Sequence, residues 1–328
     1  MPTLRLSVGC GDYDRTRALF DGSVPTDGFE IAWEPVNVPH ELFVRVLHGE
    51  FDVAEMSFSS LTNAIGRGSR DLIGIPVFTS RLFRHSFIYV NTDSGIEAPQ
   101  DLIGKRVGVP DYTITAAVWI RGLLQHDYGV APEQIHWLIG GLDTPAKILP
   151  LAPRLPSNVK IEQTPDGSIL GDMLERGALD AVVCASIPRV FLQGASRVRR
   201  LFPDYHRVEA DYYRRTGIVP IMHVVALRRS IYEEHRWIAA SLYRAFSQSK
   251  ARCYEWLRQT GAPRTTLTWL QAYLDEEREI FGNDPWPYGV AANRSSIEAL
   301  TLYVYEQGLC ERRVATDELF APETLDLT

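Results

Sequence analysis

The sequence has few cysteines and none of the spacings that turn them into ligands. Cys10, Cys184, Cys253 and Cys310 are scattered with no C-x-x-C pair. That excludes a zinc knuckle, and a disulfide framework is not expected in a chain long enough to build its own core. Long apolar runs are also missing: none approaches the roughly 18–20 residues that span a bilayer. Basic residues are the minority, 34 Lys plus Arg against 41 Asp plus Glu for a net charge of −7. The broad basic face of a nucleic-acid binder is therefore absent, and the local cluster Arg197, Arg199 and Arg200 reads as solvated surface. Ser7-Val8-Gly9-Cys10 faintly resembles a lipoprotein cleavage site, but no apolar stretch precedes it. Gly9-Cys10-Gly11 lacks the third glycine of a dinucleotide loop, and no phosphate-binding G-x-x-x-x-G-K-[ST], H-E-x-x-H or G-x-S-x-G occurs. These absences lead us to expect a cytoplasmic chain without nucleic-acid or membrane partners.

What is present is a steady alternation of short strands and helices, at 45% hydrophobic and 23% charged residues, the balance of an ordinary globular protein. Leu4–Val8, Phe29–Trp33, Phe51–Met56, Ile73–Phe78 and Phe87–Val90 read as strands, with helices over 15–20 and 38–47. A second α/β stretch follows, with a strand at 104–110, a helix at 115–125 and, at 177–183, a helix end leading into a buried strand. Between them five prolines in 140–168 predict mostly loop. A strand at 218–227 leads into helices over 236–257, 268–280 and 295–307. This order predicts βαβ units and mostly parallel sheets. It also predicts two lobes, residues 1–92 with 216–328 and residues 93–215, joined by two crossing strands around a cleft. Ligands of open α/β sheets sit beyond the carboxyl ends of the strands.

That rule selects the polar residues at strand ends. Glu55 closes an apolar strand, where burial would raise its pKa and a salt bridge would hold it as an anion; Ser57 follows it. His85 and His223 are flanked by apolar strand residues and suit acid–base work. Arg15, Arg81, Arg84, Arg121 and Arg294 offer planar forks for carboxylates. Thr113 and Thr115 add hydroxyls at a helix start. Tyr112, Trp119 and the aromatic loop Asp284-Pro285-Trp286-Pro287-Tyr288 could cover a ring.

Several long segments carry a resemblance: D-Y-D-R-T-R (12–17), F-D-V-A-E-M-S (51–57), P-V-F-T-S-R-L-F-R-H-S (76–86), T-A-A-V-W-I-R-G (115–122), T-G-I-V-P-I-M-H (216–223) and D-P-W-P-Y-G-V-A-A-N-R (284–294). Over nearly its whole length the chain resembles the 4,5-dihydroxyphthalate decarboxylase family, which is similar in fold to type II periplasmic binding proteins. The resemblance implies an α/β fold of two lobes with hinge strands and a central cleft. It also implies non-oxidative loss of CO2 from a dihydroxylated aromatic dicarboxylate, a small aromatic carboxylate partner. For that reaction we assign His85 and His223 as acid and base, with Glu55 orienting or replacing one of them. The arginines compete to hold the spectator carboxylate, and Tyr112, Trp119 and Trp286 stack on the ring. No cofactor is expected. A divalent metal stays open if His85, His223 and Glu55 converge, and a homo-oligomer stays open too. The alternative is a solute-binding protein without catalysis; an enzyme of riboflavin-like cofactor biosynthesis on the same scaffold is a third reading.

Overall fold

The structure, a computed structural model, describes residues 4–145 and 155–328. Pro150 and Pro153 of the expected loop lie outside them. The described strands are β1 (Leu4–Cys10), β2 (Phe29–Pro35), β3 (Val53–Ser57), β4 (Leu72–Arg81), β5 (Ile88–Asn91), β6 (Arg106–Val109), β7 (His136–Ile139), β8 (Ile161–Gln163), β9 (Ala181–Val183), β10 (Val198–Arg200) and β11 (Ile221–Arg228). The chain divides into two units, one of residues Met1–Arg81, Ile221–Glu298 and Val314–Thr328, the other of Leu82–Pro220 and Ala299–Arg313. The expected breaks near 92 and 216 compare with divisions after Arg81 and Pro220, and 299–313 joins the second unit.

The first unit holds a sheet ordered β2-β1-β3-β11-β4. β1 runs parallel to β2 and β3, whereas β11 is antiparallel to both β3 and β4. The expectation of mostly parallel strands therefore gives way to a mixed sheet. The chain comes back from the second unit through β11, and this strand enters between β3 and β4 running against them. Alternate residues of the strands (Leu6, Val8, Val53, Ile73, Ile75, Val225 and Leu227) fill a core with Ile238, Leu242 and Phe246. The last three lie on one face of the helix Trp237–Leu257, at the spacing of an apolar stripe.

The second unit carries a sheet ordered β10-β5-β9-β6-β7-β8, with β5 antiparallel to its neighbours β9 and β10. Its core includes Tyr89, Leu170, Leu174, Leu179 and Val182. β7, β8, β10 and the helix Tyr205–Thr216 have no counterpart in the sequence reading; the three strands are only three or four residues long, too short for a periodic signal. No helix among the described residues is long and apolar enough to cross a membrane.

Candidate active site

In the first sheet β1, β3 and β4 end on the same side, where β11 begins. β11 places Val225 opposite Glu55 and His223 opposite Ser57. Glu55 and His223 are thus diagonal neighbours on one face of an antiparallel pair, within reach of each other's long side chains. Their side chains meet: His223 Nδ1 lies 2.6 Å from Glu55 Oε1. The edge of the His223 ring meets Phe43, from the helix Pro39–Leu47, at 5.0 Å between centroids. With Nδ1 facing the carboxylate, Nε2 has no hydrogen-bond partner among the described residues and is the nitrogen free to exchange a proton.

Glu55 is only 1% exposed, so its charge depends on donors. Gly11 donates its backbone N–H to Oε2 at 3.1 Å. The Tyr13 hydroxyl is 2.9 and 3.1 Å from the two oxygens, and the Cys10 thiol is 3.7 Å from Oε2. Burial pushes the Glu55 pKa up, but the His223 hydrogen bond and charge, the Gly11 N–H and the Tyr13 hydroxyl outweigh it and hold the carboxyl at about 2. The carboxylate is a permanent anion, which overturns the expectation that burial would raise its pKa. Burial and the Glu55 charge push the Cys10 thiol and the Tyr13 phenol up, so both keep their protons and remain donors.

A cation stands next to this anion. The Arg15 guanidinium carbon lies 4.2 Å over the Tyr13 ring and 4.4 Å over the Trp286 ring. Its Nε donates to the Thr79 carbonyl at 2.8 Å, joined by Nη2, while Nη1 meets Asp14 at 3.2 Å. The Trp286 indole N–H donates to the Phe78 carbonyl at 2.7 Å. These carbonyls are available because β4 leaves its pairing with β11 between Ile75 and Ser80. Pro76 sits in that gap and has no N–H to give a sheet ladder. The loop carrying Trp286 is clasped from the helix Trp237–Leu257: Lys250 Nζ donates to Asp284 and to the Trp286 carbonyl, and the Tyr254 hydroxyl accepts the Trp286 N–H.

The remaining candidates are placed as follows. Ser57 is buried and caps the helix Phe58–Gly66 by accepting the Ser60 N–H. Arg81, also buried, reaches the Pro287 carbonyl at 3.5 Å. Arg294 is exposed and pairs with Glu298 one helical turn on, a surface ion pair. His85, Arg84, Tyr112, Thr115, Trp119 and Arg121 all belong to the second unit and are buried there. Arg121, fully buried, donates to the Tyr112 carbonyl and to Gln307 and lies 3.6 Å from the Tyr112 ring centroid. Trp119 packs edge-on against Tyr303, and Arg84 donates to the Ala185 carbonyl. His85 is ringed by Tyr128, Phe202 and Tyr212, and its Nδ1 is buried without a hydrogen-bond partner. Burial, reinforced by the Arg215 charge, lowers its pKa to about 4.

Of the expected acid–base trio, Glu55 and His223 come together. Among the described residues no group of three or more His, Cys, Asp or Glu side chains is arranged to hold a metal ion. Tyr13, Cys10, Gly11 and Phe43 complete the pair's surroundings and were not singled out from the sequence. Tyr13 lies inside the segment D-Y-D-R-T-R, which offered the only signal.

No family model matches the chain. A 4,5-dihydroxyphthalate decarboxylase of Comamonas testosteroni is 37% identical over 327 residues, 99% of each protein. A protein of the same name from Pseudomonas putida is 39% identical over 215 residues, 65% of this chain and 83% of that protein. Among solved structures, the periplasmic aliphatic sulphonate binding protein SsuA of Escherichia coli has a TM-score of 0.55 at 15% identity, covering 98% of this chain and 99% of that one. The alkanesulfonate-binding protein SsuA of Xanthomonas axonopodis pv. citri has a TM-score of 0.52 at 15% identity, with 98% and 97% coverage. The last two share the fold alone and identify it as that of the periplasmic binding proteins. Identity over the full length says more: this chain belongs to the 4,5-dihydroxyphthalate decarboxylase family, carboxy-lyases built on a periplasmic-binding-protein fold.

Proposed function

We propose that the chain removes one carboxylate as CO2 from a dihydroxylated aromatic dicarboxylate, of the type 4,5-dihydroxyphthalate to protocatechuate, with His223 as proton donor. Simple loss of CO2 would leave an aryl carbanion, a very poor intermediate. Protonating the ring carbon that bears the carboxylate avoids it, and a para-hydroxyl pushes electron density toward that carbon. In this reading the imidazolium Nε2–H of His223 is transferred to the ring carbon. The C–CO2 bond then breaks and its electron pair restores the aromatic ring. The proton consumed is replaced from solvent, and the balance needs nothing further. Arg15 or Arg81 holds the spectator carboxylate through a guanidinium fork.

The observation that carries the proposal is the buried Glu55 carboxylate 2.6 Å from His223 Nδ1. A fixed anion there orients the ring and leaves Nε2 turned away from it, as a positioned donor requires. The test is incubation with 4,5-dihydroxyphthalate, following CO2 and product. His223→Ala should lower kcat about a thousandfold with the fold intact, within the range seen for loss of a general acid. Glu55→Gln removes the anion and should cost roughly tenfold to a hundredfold in kcat, since it acts through His223. Wild-type protein that binds another acid tightly and turns over nothing would instead favour the solute-binding alternative.

A further inference from the structure

We infer that Tyr13 is a positioning residue that ties the proton donor to the cation of the site, its hydroxyl fixing Glu55 and its ring carrying Arg15. The inference rests on the decarboxylase reading above and adds a residue to it.

The argument begins with the backbone. Gly11 follows β1 directly, and a Cβ built there would stand 2.5 Å from a carbon of the Tyr13 ring. The ring therefore lies over Gly11, and only a residue without a side chain allows it to turn back toward β3. The Tyr13 N–H donates to the Thr16 hydroxyl at 3.3 Å, and the Thr16 N–H returns to the Tyr13 carbonyl at 3.1 Å. These bonds fix the start of the helix Asp14–Phe20, and with it Arg15 two residues on. One side chain thus touches both charged groups. The oxygen end meets Glu55 at 2.9 and 3.1 Å, and the ring lies 4.2 Å below the Arg15 guanidinium.

Several elements bring groups beside the pair. β1 contributes Cys10, whose thiol keeps its proton. The β1–helix junction contributes Tyr13 and, beyond it, Arg15, and the buried Tyr288 phenol lies within electrostatic reach of Cys10 and Arg15. The neighbours of His223 across the sheet, Ser57 of β3 and Ser80 of β4, are neutral, and the helix Pro39–Leu47 brings the Phe43 ring against it. Removing the Tyr13 hydroxyl deletes one donor to Glu55 and leaves the carboxylate a stronger acceptor for His223.

Two substitutions separate the two roles. Tyr13→Phe keeps the ring and removes the hydroxyl; Tyr13→Leu removes both. For Tyr13→Phe we expect kcat to fall about fivefold with KM within about twofold, as for loss of one hydrogen bond to a charged group. Tyr13→Leu should show the same fall in kcat and in addition a KM raised roughly fivefold, from the lost cation–ring contact. Phenylalanine thus rescues KM but not kcat. Side-chain NMR reads both contacts without substrate. The His223 Nδ1 proton should move downfield in both variants, and the Arg15 Nε–H signal should move only in Tyr13→Leu. An unchanged kcat and Nδ1 proton in Tyr13→Phe, or equal KM in the two variants, overturns the inference. Failure of the wild type to act on 4,5-dihydroxyphthalate overturns the function instead, and the NMR signals still decide the role of Tyr13.

Discussion

At His223 an imidazole is held against a buried anion, whereas three aromatic rings surround His85. The contrast has a consequence for stability. The His85 pKa falls from an ordinary 6.5 to about 4 in the fold, so between these values the unfolded chain binds the proton that the native one refuses. This contribution is complete above pH 6.5 and is lost as pH drops toward 4, to a total of about 3 kcal/mol. His85→Phe keeps an aromatic body in the cluster and removes the titration. We expect it to flatten the decline of thermal stability between pH 6.5 and 4, and to retain turnover within about threefold because it leaves the acid–base pair untouched. Calorimetric melts across that range check the first point. Glu55 acts lower, since its carboxyl is held at about 2: its stabilisation is present above the ordinary 4.5 and fades as pH falls through that interval. Both histidines border apolar strand segments in sequence, although the immediate neighbours of His85 are Arg84 and Ser86. Their fates diverge because His223 meets a carboxylate 168 residues away, whereas aromatic rings surround His85.

At the scale of elements, the junction of β1 with the helix Asp14–Phe20 does most to shape the site. Gly11→Ala should push the Tyr13 ring off its place, since the added methyl has 2.5 Å where contact needs well over 3 Å. Overpacking of this kind costs about 1–3 kcal/mol, and here the relief is movement of an aromatic ring with intermediate exposure. Activity should therefore drop at least about tenfold while the melting curve stays cooperative, a misplacement effect that kcat/KM and circular dichroism together would reveal. β1, β3 and β11 were legible as strands because their apolar residues alternate or run continuously, and the rule of strand carboxyl ends then selected Glu55. The role of Tyr13 was not legible. It depends on the path of a ring over a glycine, and sequence spacing carries no record of that path. Arg121 and Trp119 meet a related limit of sequence reading. The helix Thr115–Tyr128 is buried along ten consecutive residues from Thr115 to Leu124, so a polar side chain on it need not face a ligand.

On the scale of the whole molecule, the chain passes between its two units after Arg81, Pro220, Glu298 and Arg313. The sequence reading set its two breaks near 92 and 216, from the strands that precede and follow them. The last two passages were not legible, because the division after Glu298 falls inside the helix Val290–Glu306, where nothing in composition changes. The return after Arg313 brings Phe320 into a cluster with Phe58 and Phe78, and the Ala321 N–H donates to the Gly74 carbonyl. Phe320→Ala should cost about 3–5 kcal/mol, a large part of the stability of an ordinary domain. Hydrogen exchange would then accelerate in β1 and β3 more than in β6 and β7. The interruption of β4 at Pro76 carries a different lesson, about change over generations. Arg15 and Trp286 are anchored on the carbonyls of Thr79 and Phe78, and a carbonyl survives any substitution of the residue that bears it. Under the proposed reaction, side chains around the substrate can therefore be exchanged to suit a new acid without unmooring the cation, which leaves substrate preference free to drift on a fixed foundation.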